Sequence, residues 1–402
     1  MLNALTALGI EWEYEHGLLT VQGEGIDGFN APEETLNCGN SATTMRMLCG
    51  AIAASGVGAT IDGSDGLRRR PMNRIAHPLR QMGVVIEDTG GCAPLVLFPA
   101  RQALNAVDYI LPVASAQVKT CLLLAALSAD GATALREPGP SRDHTERMLG
   151  SMGVNVLRNI PGKKKPHDLP QLDECYVTQI TPPMPRRLNP LKLKIPGDVS
   201  AASFLIVAAL IVPDSELVIH GVGLNPTRTG LIQVLQKMGA DIQVETLTES
   251  HGEPVGDLIV KSSELHGTTV SGSLVVRMID EFPIFAIAAA CARGKTIVQE
   301  AVELRHKESD RITALCGELR KVGVFVSEEA DGFEIKGGVP IKGGFIDPHG
   351  DHRLAMSLAI AGLVSQEPVV VERAEIIGES FPDFTVLLQH LGANIELRLG
   401  SE

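Results

Sequence analysis

Six short segments of the chain share one pattern of apolar residues, a glycine and an alternating, strand-like run. They read LTALGIEW, LRQMGVVI, LGSMGVNV, LQKMGADI, LRKVGVFV and LQHLGANI, and their glycines are Gly9, Gly83, Gly153, Gly239, Gly323 and Gly392. Glycine at a helix end readily takes the left-handed conformation that turns the chain into a strand. Because the pattern recurs every roughly 70 to 85 residues, longer than a solenoid repeat, it predicts six packed βα units.

A second helix, rich in Ala and Leu, is predicted ahead of five of these glycines. The segments are NSATTMRMLCGAIAA, SAQVKTCLLLAAL, DVSAASFLIVAALIV, DEFPIFAIAAACA and DHRLAMSLAIAGL, and each begins with a polar residue suited to capping a buried helix: Asn40, Ser115, Asp198, Asp280 and Asp351. The spacing is 43 residues from Asn40 to Gly83 and 38 from Ser115 to Gly153. By that spacing the helix paired with Gly9 would fall before Met1, so we expect an incomplete first repeat.

Three of the glycines precede the segment IPGD, which ends at Asp198, and three follow it. This division predicts an α/β protein with two domains of three repeats each, covering residues 1–194 and 195–402. The stretch from Asn159 to Pro190 is rich in proline and charge, which indicates a surface excursion. Its run Lys163–Lys165 is expected to be a solvated loop rather than a ligand site.

Net charge and cysteine usage narrow the class of function. The formal charge of -13 argues against binding nucleic acid or an anionic membrane through net charge, so an anion site must be a local basic cluster such as Arg68, Arg69, Arg70 and Arg74. The seven cysteines are scattered, without a CxxC motif or zinc-ligand spacing. We expect reduced thiols, a cytoplasmic location and no zinc site.

Several helix starts carry polar residues that an ordinary core helix does not need. Helix N-termini attract phosphate and carboxylate groups, although for any one of these residues alone simple capping is the favoured interpretation. In HKESDR, Lys307, Glu308 and Arg311 fall within four positions and are expected to share one helical face, either beside an anion or in solvent.

In GDHR, three ionisable residues open an otherwise apolar helix. DGLRRRPM places arginines, which can grip a carboxylate or phosphate, before a proline expected to open a helix.

Taken together, these segments resemble the 5-enolpyruvylshikimate-3-phosphate (EPSP) synthase family over essentially the whole chain. The segments that carry the resemblance occur in the family's order: GNSATTMR, RRRPM, SAQVK, PSRDHTERM, PGDVSAASF, MIDEFP, RHKESDR, GDHRLAM and SFPDF. The resemblance implies a two-domain inside-out α/β barrel with three βαβαββ units per domain and helices aimed at an interdomain cleft. It implies transfer of the carboxyvinyl group of phosphoenolpyruvate to shikimate 3-phosphate by a cytoplasmic monomer.

The resemblance also assigns roles to individual residues. It implies that shikimate 3-phosphate is held by Ser115, Gln117, Ser141, Arg142, Asp280 and Lys307, with the phosphate near Ser115, Ser141 and Arg142. Phosphoenolpyruvate is expected to contact Asn40, Ala42, Thr43, Arg70, Gln117, Arg311 and Arg353. Asp280 would be the base for the attacking hydroxyl, Glu308 and Lys307 would handle the proton on the enol carbon, and His352 would support them.

The sequence departs from the family at three places. The family's first segment, with a Lys-Ser pair and an Arg that contact both substrates, matches nothing here, so a truncated start, or an inactive or binding-only protein, are open alternatives. Glu379 stands where some members have lysine. Ala42 stands where many have glycine, beside which the inhibitor glyphosate lies, and the extra methyl group predicts low glyphosate sensitivity.

A sister family on the same fold transfers the same group to UDP-N-acetylglucosamine. It carries a reactive cysteine just ahead of its Arg-Pro dipeptide. The corresponding segment here, DGSDGLRRRP, has no cysteine, and Cys92 comes one helix later. The sequence therefore favours shikimate 3-phosphate as the acceptor.

Overall fold

The computed structural model describes residues 1–100, 102–159 and 176–398. The chain separates into two compact units, Met1–Leu193 and Lys194–Glu402. The expected loop at Lys163–Lys165 and Cys175 lie outside the described residues, and the other six cysteines are unpaired. Within the described ranges, none of the helices has the length and apolar character needed to span a membrane.

The first unit contains helices α1 (Leu2–Ala7), α2 (Ala42–Ser55), α3 (Asp65–Arg68), α4 (Asn73–Gln81), α5 (Ala116–Ala126) and α6 (His144–Ser151). Its strands are β1 (Trp12–Glu15), β2 (Leu18–Val21), β3 (Leu36–Asn37), β4 (Ala59–Asp62), β5 (Ile86–Thr89), β6 (Cys92–Leu97), β7 (Asp108–Ile110), β8 (Thr133–Glu137), β9 (Asn155–Asn159) and β10 (Tyr176–Thr181).

The second unit contains α7 (Val199–Ile211), α8 (Gly230–Lys237), α9 (Ser273–Arg277), α10 (Phe282–Cys291), α11 (Arg311–Lys321), α12 (His352–Ala361) and α13 (Phe384–His390). Its strands are β11 (Glu216–Gly223), β12 (Asp241–Ser250), β13 (Glu253–Lys261), β14 (Thr269–Val270), β15 (Gly294–Val298), β16 (Phe325–Glu329), β17 (Gly332–Gly337), β18 (Gly344–Ile346) and β19 (Val369–Val371). Short 3-10 helices cover Val302–His306, Gly362–Val364 and Ala374–Glu379.

One strand order recurs in three four-stranded sheets. These sheets are β3-β4-β6-β5, β7-β8-β10-β9 and β14-β15-β17-β16, and in each the first pair is parallel and the other pairs are antiparallel. A long helix connects the parallel strands, as a parallel crossover requires. The sheet β11-β13-β12 has the same order, with an isolated parallel bridge between Gly197 and Val222 in place of the first strand. The predicted α/β class and βαβαββ unit are confirmed.

The six glycines predicted to end helices all have positive φ. The angles are +82°, +91°, +88°, +102°, +85° and +92° for Gly9, Gly83, Gly153, Gly239, Gly323 and Gly392. In each case the residue after the glycine donates its N–H to a leucine carbonyl five residues back, as Val84 does to Leu79 and Val324 to Leu319. This is the Schellman helix ending, which needs a left-handed residue at the turn. The prediction is confirmed at all six positions.

The predicted caps of the buried helices are confirmed at three positions and wrong at two. Ser115, Asp198 and Asp351 cap α5, α7 and α12 with their side chains. The cap of α2 is Ser41 rather than Asn40, whose side-chain oxygen instead accepts a hydrogen bond from Ser64. Helix α10 begins after Glu281 with Pro283 in its first turn, so one of its N-terminal donors is absent. The Asp280 carboxylate is directed to cationic side chains instead.

Helices α2 and α5 approach closely at Gly50, where an added methyl group would lie 2.1 Å from the carbonyl oxygen of Cys121. We expect Gly50→Ala to lower the free energy of unfolding by about 1–3 kcal/mol, because the backbones must separate to admit the methyl group. The matched control is Gly150→Ala in α6 of the same unit, where nothing lies within 4 Å. The free energy of unfolding of this control should be unchanged or should rise by up to about 1 kcal/mol. Urea denaturation of both variants makes the comparison, and equal effects would contradict this close approach.

Candidate functional site

The second unit contains a buried guanidinium surrounded by carboxylates. Arg311, at the start of α11, is 1% exposed, and its Nε lies 2.7 Å from Asp351 Oδ2. Its Nη2 lies 2.8 Å from Glu308 Oε2, and its Nη1 lies 3.6 Å from Asp280 Oδ1. Burial alone would lower the pKa of Arg311, but these three carboxylates together raise it above its usual value. The arrangement therefore holds three carboxylates around one permanent cation.

Lys307 and Asp280 lie at the more open side of this cluster. Lys307 Nζ is 3.4 Å from Asp280 Oδ1, and their side chains are 26% and 18% exposed. The expected shared helical face in HKESDR is wrong, because α11 begins only at Arg311, after its cap Asp310. Lys307 is extended and Glu308 precedes the helix, so both reach the cluster from a loop rather than from a helical face.

The start of α12 places three ionisable residues together, as the sequence predicts. Asp351 is fully buried and accepts a hydrogen bond from the backbone N–H of Arg353 at 3.0 Å, while it also pairs with Arg311. The charge of this buried aspartate is thus compensated. Burial first, and then the neighbouring Arg353, lower the pKa of His352, so its imidazole is neutral at neutral pH. Arg353 itself lines a cavity of about 20 Å³ together with Asp198, Ser200, Ser380 and Phe381.

Arg228 is a site neighbour that the sequence does not reveal. Its Nη2 lies 2.7 Å from Asp198 Oδ1 and 2.8 Å from Ser200 Oγ, at the start of α7. Burial acts to raise the pKa of Asp198, but Arg228, the Ser200 N–H and Arg353 outweigh it and hold that pKa below its usual value. Arg228 comes from the segment NPTRTG, which has no distinguishing pattern, so only the fold could identify it.

In the first unit, Gln117 joins the starts of α2 and α5. Its Nε2 donates to Thr43 Oγ1 at 2.7 Å, and its Oε1 accepts from Arg46 Nη1 at 2.5 Å. Arg46 was not among the predicted site residues, although it follows Thr43 by three positions and so shares a helical face with it. Burial, and then Arg74 and Arg70, lower the pKa of Arg46 to about 10. Arg70 and Arg74 therefore lie near enough to Arg46 for the three side chains to form a cationic patch.

The arginine run before Pro71 divides between two environments. Arg68 pairs with Asp62 on the surface, whereas Arg70 is half-buried. The proline does not open a helix, because α4 begins at Asn73; instead the Pro71 carbonyl accepts a hydrogen bond from Arg46 Nη2 at 3.0 Å. Of this run, Arg70 therefore belongs with the patch and Arg68 does not.

The predicted phosphate ligands lie on two neighbouring segments. Ser115 caps α5, and Ser141 with Arg142 lies between β8 and α6. Lys119, one turn after Ser115, reaches the carbonyl oxygen of Ser141 at 3.4 Å, so the start of α5 lies beside the second segment. Ala42, the first residue of α2, is 2% exposed.

We expect Asp351→Ala to lower the free energy of unfolding of the second unit by about 3–5 kcal/mol, because it removes the closest partner of a buried guanidinium. Asp310→Ala is the matched control. Asp310 also caps a helix, α11, but its side chain is 41% exposed and pairs with the accessible Arg305. That change should cost about 0.5–2 kcal/mol. Thermal and urea unfolding compare the two, and a larger loss for Asp310→Ala would contradict the role given to Asp351.

Comparisons with known proteins agree with this architecture. The family described as EPSP synthase (3-phosphoshikimate 1-carboxyvinyltransferase) matches residues 1–388. A protein of Synechococcus sp. (strain JA-3-3Ab), named 3-phosphoshikimate 1-carboxyvinyltransferase, is 46% identical over 374 residues, which are 92% of this chain and 80% of that protein. A protein of the same name from Geotalea daltonii is 43% identical over 388 residues, covering 96% and 86% of the two chains.

Two solved structures extend the comparison. EPSP synthase from Acinetobacter baumannii has a TM-score of 0.84 and 39% identity, covering 99% of this chain and 88% of its own. The enolpyruvyl transferase NikO from Streptomyces tendae has a TM-score of 0.73 over 98% of this chain and 86% of its own, but at 18% identity it shows the fold alone. The family match and the identities leave one assignment: the chain belongs to the EPSP synthase family.

Proposed function

We propose that this protein transfers the carboxyvinyl group of phosphoenolpyruvate to shikimate 3-phosphate, giving 5-enolpyruvylshikimate 3-phosphate and phosphate. The observation that carries this proposal is the cluster of Arg311, Asp280, Glu308 and Lys307 in a chain of this family. The names of the curated relatives favour this transfer over UDP-N-acetylglucosamine as acceptor and over a binding-only role.

The addition step requires a base for the attacking hydroxyl and an acid for the methylene carbon. Asp280 accepts the proton of the shikimate 3-phosphate hydroxyl, and it is oriented by Lys307 and Arg311. Glu308, held by Arg311 at 2.8 Å, and Lys307 deliver a proton to the enol carbon and remove one when phosphate leaves. Each positioned proton transfer contributes roughly 10²- to 10⁴-fold to the rate.

The arginines bind the charge of phosphoenolpyruvate in this proposal. Nη1 of Arg311 is buried without a hydrogen-bond partner in the described part of the chain, so it can donate to a carboxylate or phosphate oxygen. Arg353 and Arg70 supply further positive charge, and His352 supports the cluster as a neutral imidazole. Ala42, Asn40, Thr43 and Gln117 line the same substrate's pocket.

Shikimate 3-phosphate binds through Ser115, Gln117, Ser141 and Arg142, with Asp280 and Lys307 at its reacting hydroxyl. Support comes from the hydrogen bond of Lys119 to Ser141, which places the segments carrying Ser115 and Ser141 side by side. We further propose that the protein acts in the cytoplasm as a monomer, and that its chemistry uses neither metal nor organic cofactor. It stays a prediction that residues of both units line a single cleft.

The proposed role of Glu308 is tested by Glu308→Gln, which preserves shape but cannot carry a proton. We expect kcat, measured as phosphate release from the two substrates, to fall by roughly 10²- to 10⁴-fold with little change in KM. The control is Glu264→Gln, an exposed glutamate that pairs with Arg293 in the same unit and should retain full rate.

Three outcomes would contradict the proposal. Wild-type rates in Glu308→Gln would remove this residue from the chemistry. Substrate binding by the wild type without phosphate release would favour the binding-only role, and turnover of UDP-N-acetylglucosamine would identify the sister activity.

The methyl group of Ala42 is proposed to crowd glyphosate in the phosphoenolpyruvate pocket. Its removal in Ala42→Gly should lower the half-inhibitory glyphosate concentration by roughly tenfold or more, since relief of one crowding methyl group corresponds to about 1–3 kcal/mol. The control, Ala53→Gly, makes the same change at another buried position of α2. Equal inhibition of the wild type and Ala42→Gly would exclude crowding by this methyl group.

A further inference from the structure

The first unit also contains a buried cation, Lys119, which takes no part in the chemistry proposed above. The ammonium of Lys119 lies 2.7 Å from Glu137 Oε1 and 2.8 Å from Glu146 Oε1, and the three side chains are 2%, 5% and 1% exposed. One ammonium thus faces two carboxylates. With all three ionised, the cluster carries one uncompensated negative charge in the interior, which is costly.

This cluster is joined directly to a predicted phosphate ligand. Glu137 is the last residue of β8, and its Oε2 lies 2.5 Å from Ser141 Oγ. Lys119 also bonds the Ser141 carbonyl, so the loop after β8 is attached at two points. Glu146, from α6, shares the lysine but has no hydrogen bond to Ser141 in the described structure; its nearest other partner is Thr178 Oγ1 at 3.5 Å.

The hydrogen bond between Glu137 and Ser141 determines what Ser141 can offer a ligand. A hydroxyl has one hydrogen, and an ionised carboxylate only accepts, so the bond to an ionised Glu137 uses the one donor that Ser141 has. A protonated Glu137 would instead donate to Ser141 Oγ. The serine hydrogen would then be free to donate to a phosphate oxygen.

Electrostatics favours the protonated carboxyl once a phosphate is bound. Burial raises the pKa of Glu137, and Glu146 raises it further, while Lys119 and Ser141 oppose the rise. Burial acts to lower the pKa of Lys119, but the two carboxylates outweigh it and raise that pKa, so the lysine remains an ammonium. A phosphate dianion beside Ser141 adds like charge, which disfavours the ionised carboxylate.

We propose that Glu137 is a positioning residue that takes up one proton from solvent when the phosphate of shikimate 3-phosphate binds, donates that hydrogen to Ser141 Oγ, and so turns the Ser141 hydroxyl toward the phosphate. The only bond formed is O–H at Glu137, and no bond of the substrate breaks. This inference rests on the proposed function, because it takes the phosphate of that substrate as the ligand of Ser141.

Calorimetric titration of shikimate 3-phosphate into the full chain measures the proton directly. Titrations at about pH 8, where the phosphate is a dianion, use phosphate-free buffers with different heats of ionisation. We expect the wild type to take up close to one proton, and its Kd to weaken by up to tenfold for each unit of rising pH. Glu137→Gln carries a permanent donor for Ser141 and needs no proton, so it should show neither proton uptake nor pH dependence and should bind more tightly than the wild type at about pH 8.

Glu146→Gln is the matched control, since it neutralises the other buried carboxylate beside the same lysine. It should keep the proton uptake, displaced to lower pH because Glu146 no longer raises the pKa of Glu137. Ser141→Ala gives a second readout that leaves the charges in place: substrate binding should weaken, because the hydroxyl that Glu137 turns toward the phosphate is missing.

Two results would overturn the role of Glu137 and leave the proposed function intact. They are substrate binding by the wild type without proton uptake, and uptake that survives in Glu137→Gln but disappears in Glu146→Gln. Absence of shikimate 3-phosphate binding by the wild type would overturn the proposed function, and this inference with it.

Discussion

The ion pair between Arg311 and Asp351 is the interaction on which the second unit's site depends. Both side chains are almost completely buried, and each stands at the start of a helix, Arg311 on α11 and Asp351 as the cap of α12. A buried guanidinium must be compensated, so the two helix starts are tied together. The same guanidinium also holds Glu308 and lies beside Asp280, and one buried charge thereby sets the position of two proposed acid–base groups.

In the first unit, the buried ammonium of Lys119 has a similar role. A lysine on α5 draws the end of β8, the following loop and α6 toward the beginning of its own helix. In both units the buried cation pairs with at least one carboxylate from a distant segment of the chain, Asp351 for Arg311 and Glu137 for Lys119. Because a buried charge is costly without partners, these contacts select one arrangement of the helix starts. The Schellman endings fix the C-terminal ends of the helices that precede the six glycines. They turn the chain back into the sheet.

The α2–α5 pair adds a steric constraint to the electrostatic ones. Gly50 lets the two helices approach until the Cys121 carbonyl occupies the space of a side chain. Near the start of the same pair, Gln117 bonds both Thr43 and Arg46. Close packing along the helices and hydrogen bonding near their starts therefore position residues that the proposed function assigns to phosphoenolpyruvate.

The sequence by itself determined the features that depend on neighbouring residues. The six glycine endings and the buried helices that precede five of them follow from apolar periodicity and from the conformational freedom of glycine within one turn, whereas the βαβαββ order was implied by the family resemblance. Caps were predictable where one polar residue stood alone before the helix, as at Ser115. The predicted caps were wrong at Asn40 and Asp280, because the neighbouring residue is the N-cap in each case. The side chain of Asn40 accepts a hydrogen bond from a distant hydroxyl, and that of Asp280 pairs with a distant cation.

Only the tertiary structure decided which charges meet. Arg46 and Gln117 are 71 positions apart, Arg311 and Asp351 are 40 apart, and Arg228 reaches Asp198 across 30. Glu308 reaches Arg311 and Lys307 reaches Asp280 from a loop, although the sequence suggested a shared helical face. Local pattern specifies the helix and its ends, whereas the partner of a buried charge is set by how whole repeats pack. That packing energy is summed over many apolar contacts that are distant in sequence.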